Sequence, residues 1–327
     1  MTLLFDKIDS GNEAPLAPDS AATVRSRPAS RVLQIGLVNN MSDAALRATE
    51  RQFLRLLKGG AGDHAVRLHC VALPSVPRAP TTRHRIASLY TDIADLDRLQ
   101  LDGLIVTGAE PRAASLCEEP YWDEMRTLVD WAAANTRSTI WSCLAAHAAV
   151  LHLDGIERQR LRRKCSGIYG CAPQSDDALL ADLPAQARVP HSRLNDLPAD
   201  RLCAAGYTVL TQAEGAGLDI FTRDADSRFV FFQGHPEYHP ASLQREYLRD
   251  IGRYLTGERD DYPEIPVDYF DPATEQALSA FRADAEADRS PALIARLPAL
   301  AMRDGVADAI EATAATLFRN WLVSLAR

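Results

Sequence analysis

Cys143 stands where a β-rich run, Ser138-Thr139-Ile140-Trp141-Ser142, passes directly into an Ala/Leu-rich segment of helical composition, 144–151, with no Gly or Pro linker between them. The pattern predicts a strand, a sharp turn and a helix, an elbow that presents the side chain at its tip to the helix N-terminus. Unpaired N–H groups at such an end favour a thiolate and bind a developing oxyanion. Cys143 is therefore the candidate nucleophile, although free cysteines are often simply buried. A nucleophile of this kind needs a base, and the base needs a carboxylate to hold its tautomer. His235-Pro236-Glu237 supplies both, two residues apart at the end of the apolar run Arg228-Phe229-Val230-Phe231-Phe232-Gln233-Gly234. Cys143, His235 and Glu237 form a catalytic set if their two strand ends adjoin.

The elements that must position them alternate. Strand-like runs at 31–38, 66–73, 101–108 and 139–143 are separated by helical patterns at 44–57 and 121–134, which predicts an α/β fold with a doubly wound, mostly parallel sheet. Ligands of such sheets gather at the carboxyl ends of the strands, so Thr107-Gly108 and Cys143 are expected across one cleft. The stretch 74–85 reads as a Pro/Arg-rich loop, 161–172 as a polar segment, and 189–193 as a Pro-led loop. The runs 207–212 and 218–223 flank Gly215 and Gly217 and predict a hairpin. A helix is expected over 242–255, then a Pro/Asp/Tyr-rich stretch at 260–272, an acidic helix and a final amphipathic helix. The whole divides into an extended arm at 1–30, a catalytic domain at 31–258, and a C-terminal extension at 259–327 that packs on the domain or on a dimer partner.

Composition narrows the function. The 327-residue chain carries a net charge of -8, which argues against a general nucleic-acid surface. Six cysteines lie scattered at 70, 117, 143, 165, 171 and 203 without a C-x-x-C pair, so neither a zinc site nor a thioredoxin-type motif is supported and no metal is expected. The N-terminus lacks the pattern of a secretory signal, and no run reaches the ~20 apolar residues of a membrane span, so a cytoplasmic enzyme is expected. The one basic cluster, Arg158-Gln159-Arg160-Leu161-Arg162-Arg163-Lys164, is either a solvated face or a surface that greets an anionic small molecule.

Thr107-Gly108-Ala109, Tyr121-Trp122, Ser138-Thr139, Cys143, Lys164-x-Ser166-Gly167-x-Tyr169, Pro190-His191-Ser192-Arg193, Gly234-His235-Pro236-Glu237-Tyr238, Arg249-Asp250, Tyr269-Phe270 and Asn320-Trp321-Leu322 stand in the order and spacing of a known family. From about Val32 to the C-terminus the chain resembles the homoserine O-acyltransferases of methionine biosynthesis. The resemblance implies a class I glutamine-amidotransferase-like (flavodoxin-like) fold and ping-pong acyl transfer from acyl-CoA, with no bound cofactor. It implies an acyl-thioester on Cys143, His235 as base, Glu237 as its orienter, substrate contacts from Lys164, Ser192 and Arg249, and a homodimer. The sequence departs from the family where Met41-Ser42-Asp43 replaces a Met-Pro-Lys-Lys run and where His239 replaces an Asp. The position that usually reads the acyl chain is Arg112, whose guanidinium suits the free carboxylate of a succinyl group. Succinyl-CoA and L-homoserine are the expected substrates, with acetyl-CoA or L-serine as alternatives, because one methylene is worth only ~1–3 kcal/mol of discrimination. A glutamine amidotransferase-like hydrolase and a non-catalytic binding protein are the remaining rivals.

Overall fold

The computed structural model describes strand β1 (Leu3–Phe5) and residues 31–327. The rest of the expected arm, 1–2 and 6–30, lies outside the described residues. The chain then runs through β2 (Val32–Val38), α1 (Leu46–Gly60), β3 (Ala65–Val71), α2 (Pro80–Leu89), α3 (Leu96–Leu99), β4 (Gly103–Thr107), α4 (Trp122–Asn135), β5 (Ser138–Ser142) and α5 (Leu144–Asp154). After these come β6 (Gln159–Gly170), β7 (Ala172–Pro173), β8 (Arg188–Asp196), α6 (Ala199–Ala204), β9 (Thr208–Ala213), β10 (Gly217–Asp224) and β11 (Arg228–Phe232). Helices α7 (Ser242–Leu255), α8 (Pro272–Ala287) and α9 (Val306–Ala326) complete the described chain.

Among the described residues the main sheet has the order β1-β3-β2-β4-β5-β11-β10-β9-β7, parallel from β1 to β11 and antiparallel beyond it. The central strands are apolar on both sides because both sides are covered. Leu33, Ile35 and Ile140 pack with Phe53 of α1 and with Phe318, Trp321 and Leu322 of α9. On the other face Leu104, Val106 and Trp141 pack with Met125 and Val129 of α4 and Ala145 of α5. Helix α9 is thus part of the main core, and its Trp321 indole also donates to Ser138 Oγ at 3.0 Å. Helices α7 and α8 share a further apolar cluster through Tyr247, Ile251, Leu278 and Phe281.

Three local expectations are corrected. The loop expected over 74–85 contains the start of α2, which begins with Pro80 at its first turn. This helix buries none of its residues, so it carries no apolar stripe to announce it. The polar segment 161–172 and the Pro-led loop 189–193 are instead the paired antiparallel strands β6 and β8, a second two-stranded sheet. The first half of β6 is polar and largely exposed while β8 buries His191 and Arg193, so the alternation that marks a half-buried strand is missing. Finally, β1 adds a parallel strand beside β3 where only an arm was expected.

Candidate active site

Strand register decides the centre of the site. Ser142 pairs with Thr107 of β4 on one side and with Phe232 of β11 on the other, so three parallel strands end level with one another. Each chain continues past that line into a turn: Gly108 after β4, Cys143 after β5, and Gln233-Gly234-His235 after β11. A Cβ on Gly108 would lie 2.6 Å from Leu144 Cβ, so only glycine lets this turn close on the first residue of α5. A Cβ on Gly234 would lie 2.5 Å from Val189 Cγ1 and 2.9 Å from both Asp219 Oδ1 and His191 Nε2. Glycine there lets the end of β11 pass tightly under β8, where His235 N–H donates to Pro190 O at 2.7 Å.

Cys143 adopts φ 50° and ψ −111°, a conformation that L-residues rarely take and that costs about 1–3 kcal/mol. Its surroundings hold it there: its N–H donates to Phe232 O at 2.7 Å, and its carbonyl accepts from Ala146 N–H and begins α5. The thiol is half-buried and all six cysteines are free. The Cys143 sulfur lies close enough to the His235 imidazole to act on its charge, and His235 Nδ1 lies 2.9 Å from Glu237 Oε1. Burial alone would push the His235 imidazole down, but the negative charges of Cys143 and Glu237 outweigh it and hold it well above its ordinary value. The Tyr238 ring stacks on His235 at 4.2 Å between centroids. The three residues singled out by sequence are therefore brought together, with His235 between Cys143 and Glu237.

The side chains expected at the substrate sit together on a neighbouring wall. Irregular pairing between Arg160 and Cys165 of β6 bends that strand, and Lys164 Nζ reaches Asp250 Oδ2 of α7 at 3.0 Å. Ser192 of β8 donates to Glu246 Oε2, whose Oε1 accepts from Tyr238 O–H at 2.6 Å. One turn on, Arg249 donates to Asp250 Oδ1 from two nitrogens at 3.0 and 3.1 Å, and Arg259 approaches Asp250 Oδ2 at 3.5 Å. Burial would raise the Asp250 carboxyl, yet Lys164 and Arg249 hold it below the usual carboxylate range.

Arg112 stands apart from this wall. It lies exposed on the loop after β4, at the mouth of a cleft of about 200 Å³ lined also by Asn40, Ser42, Val76, Glu110 and Pro111. Among the described residues no group of three or more His, Cys, Asp or Glu could hold a metal ion, and no helix is long and apolar enough to cross a membrane.

A family model for homoserine O-succinyltransferase matches residues 12–326. A homoserine O-succinyltransferase of Rhodopseudomonas palustris is 71% identical over 330 residues, covering 100% of this chain and 99% of its own. That of Bradyrhizobium japonicum is 52% identical over 327 residues, with the same coverage of each. The chain belongs to the homoserine O-succinyltransferase family. Among solved structures, a glutamine amidotransferase of Thermotoga maritima aligns with a TM-score of 0.51 at 12% identity, covering 90% of this chain and 98% of that one. Another from Methylobacillus flagellatus aligns at 0.50 and 15%, covering 91% and 96%. These two establish the fold, the glutamine-amidotransferase α/β fold that the sequence pattern and the resemblance led us to expect.

In this member of the homoserine O-succinyltransferase family several polar residues of the site escaped sequence reasoning. Ser142 donates to Glu237 Oε1 at 2.9 Å and so shares the carboxylate with His235. His147, one turn into α5, lies 2.6 Å from Gln233 Oε1, and burial pushes its imidazole down to about 4, so it is neutral beside the His235 turn. Glu246 and Asp250 organise the wall of Lys164, Ser192 and Arg249. For Glu246 a signal existed: it lies three residues before Arg249 and so falls on the same helical face.

Proposed function

We propose that this member of the homoserine O-succinyltransferase family moves a succinyl group from succinyl-CoA to the hydroxyl of L-homoserine, in methionine biosynthesis, through an acyl-thioester on Cys143. The placement of His235 beside the Cys143 sulfur and within 2.9 Å of Glu237 is the observation that carries the mechanism. In the first half-reaction the proton of the Cys143–His235 pair stays on the imidazole as the Cys143 sulfur attacks the thioester carbonyl. The departing CoA sulfur then takes that proton, and the acyl group stays on Cys143. The N–H groups at the start of α5 face the oxyanion of the tetrahedral intermediate. In the second half-reaction His235 deprotonates the homoserine hydroxyl, the oxygen attacks the acyl-thioester, and the proton returns to Cys143 as the sulfur leaves. Glu237, fixed by Ser142, keeps the imidazole oriented in both steps.

Arg249 suits the acceptor's carboxylate and Glu246 its ammonium, with Lys164 and Ser192 completing that wall. Arg112 reads the distal carboxylate of the succinyl chain. Every one of these groups falls within 31–258, the proposed catalytic domain, with 259–327 bracing it. The family likeness also supports a homodimer and a cytoplasmic location. Intact-protein mass spectrometry after brief exposure to succinyl-CoA or acetyl-CoA tests the core of this reading, with Cys143→Ala as control. A succinyl adduct on the wild type alone is expected. An acetyl adduct alone sinks the role of Arg112, and glutaminase activity without acyl transfer sinks the acyltransferase reading.

A further inference from the structure

Three consecutive residues of the loop after β4 are held by side chains from elsewhere rather than by a helix or sheet. The N–H groups of Arg112 and Ala113 both donate to Glu119 Oε1, at 2.6 and 2.8 Å, and the Ala114 carbonyl accepts from the Arg158 guanidinium at 3.2 Å. Both holders are anchored. Glu119 is 3% exposed, and its own carbonyl accepts from Trp122 N–H at the start of α4. Arg158 follows Gly155, which ends α5 at φ 63°, and the intervening Ile156 is buried in the same apolar layer as Leu116 and Tyr121. The loop so held carries Glu110, Pro111 and Arg112 along one side of the cleft. Surface loops ordinarily leave such main-chain groups to water, and a buried carboxylate committed to two successive amides fixes the loop's shape at the residue that matters for the donor.

We propose that Glu119, assisted by Arg158, is the positioning residue of the donor-recognition loop: it fixes the main chain at Arg112 and Ala113 so that the Arg112 guanidinium meets the carboxylate of the succinyl group. Preference for a succinyl over an acetyl donor then depends on a residue seven positions away that itself touches no substrate. A loose loop leaves Arg112 able to sample positions an ångström or more away, which is enough to cost about tenfold or more in the step it serves. The inference rests on the role given to Arg112 above.

The test is the ratio of kcat/KM for succinyl-CoA to that for acetyl-CoA, measured with homoserine saturating, for Arg112→Ala, Glu119→Ala and Glu119→Gln. Glu119→Ala is expected to lower the ratio about tenfold with the homoserine KM unchanged. Glu119→Gln keeps an acceptor oxygen and is expected to retain most of it. Hydrogen exchange at the Arg112 and Ala113 amides is expected to quicken in Glu119→Ala and to stay slow in Glu119→Gln. Equal losses for both donors, or an unchanged ratio, overturn the proposal. If Arg112→Ala itself leaves the ratio unchanged, the role of Arg112 has failed; if it lowers the ratio while Glu119→Ala does not, only the positioning role has. Should Glu119→Ala not fold, Arg158→Met, which frees the Ala114 carbonyl, carries the same test with a smaller expected fall of about threefold, and an unchanged ratio again overturns it.

Discussion

The two halves of the site are held by different physics. The proposed nucleophile and base project from the level ends of β4, β5 and β11, where main-chain register and two glycine turns fix every Cα before any side chain interacts. The wall of α7, β6 and β8 is held by its charges: Asp250 is shared by Lys164, Arg249 and Arg259, and Glu246 by Ser192 and Tyr238. Removing one group from the first half should therefore remove one chemical role and leave the geometry standing. Removing one from the second should disturb its neighbours, because a buried charge left without its partner seeks another.

The largest effect is expected at Cys143. Cys143→Ala should lower turnover by about 10⁴-fold or more while the thermal midpoint holds, since the backbone that shapes the elbow is unchanged; steady-state rates beside a melting curve check this. Next, Glu237→Gln should cost about 10²–10⁴-fold in kcat with little change in the homoserine KM. A comparable rise in that KM would show that the two halves are not separately held.

Asp250→Asn should act the other way, raising the homoserine KM by about tenfold with kcat much less affected. Because the wall is a network, the double variant with Arg249→Ala should lose less than the two single losses combined, and strict additivity in this cycle would break the contrast.

The smallest effect concerns pH. His235 is held above its ordinary value, so its charged form stabilises the fold fully below the unfolded value of about 6.5, and that contribution is lost as pH rises through the raised folded value. Thermal midpoints measured from about pH 6 to about pH 9 should fall more steeply for the wild type than for Glu237→Gln. Parallel curves would show that His235 and Glu237 are not coupled as the contact implies.

Helix α7 was legible to the residue, because Leu243, Tyr247, Ile251 and Tyr254 repeat with the helical period and bury one face. The hairpin of β9 and β10 and the core strands were legible for the same reason, as apolar patterns bounded by turn residues. Strands β6 and β8 were not. Their residues answer to Asp250, Glu246 and the segment at Val267, which pairs with Gly167 across a long stretch of chain.

The sequence by itself determined the candidates for the chemistry: a cysteine at a strand-to-helix turn and a His-Pro-Glu at a strand end are local patterns, written in neighbouring residues and their periodicity. Only the tertiary structure decided which strand ends lie side by side. It also revealed Ser142 beneath Glu237, gave Lys164 and Arg249 a shared carboxylate, and set Glu119 and Arg158 on the loop of Arg112. These contacts join residues far apart along the chain or across a turn without a regular period, and their energy depends on burial and charge that exist only once the sheet and its covering helices have closed.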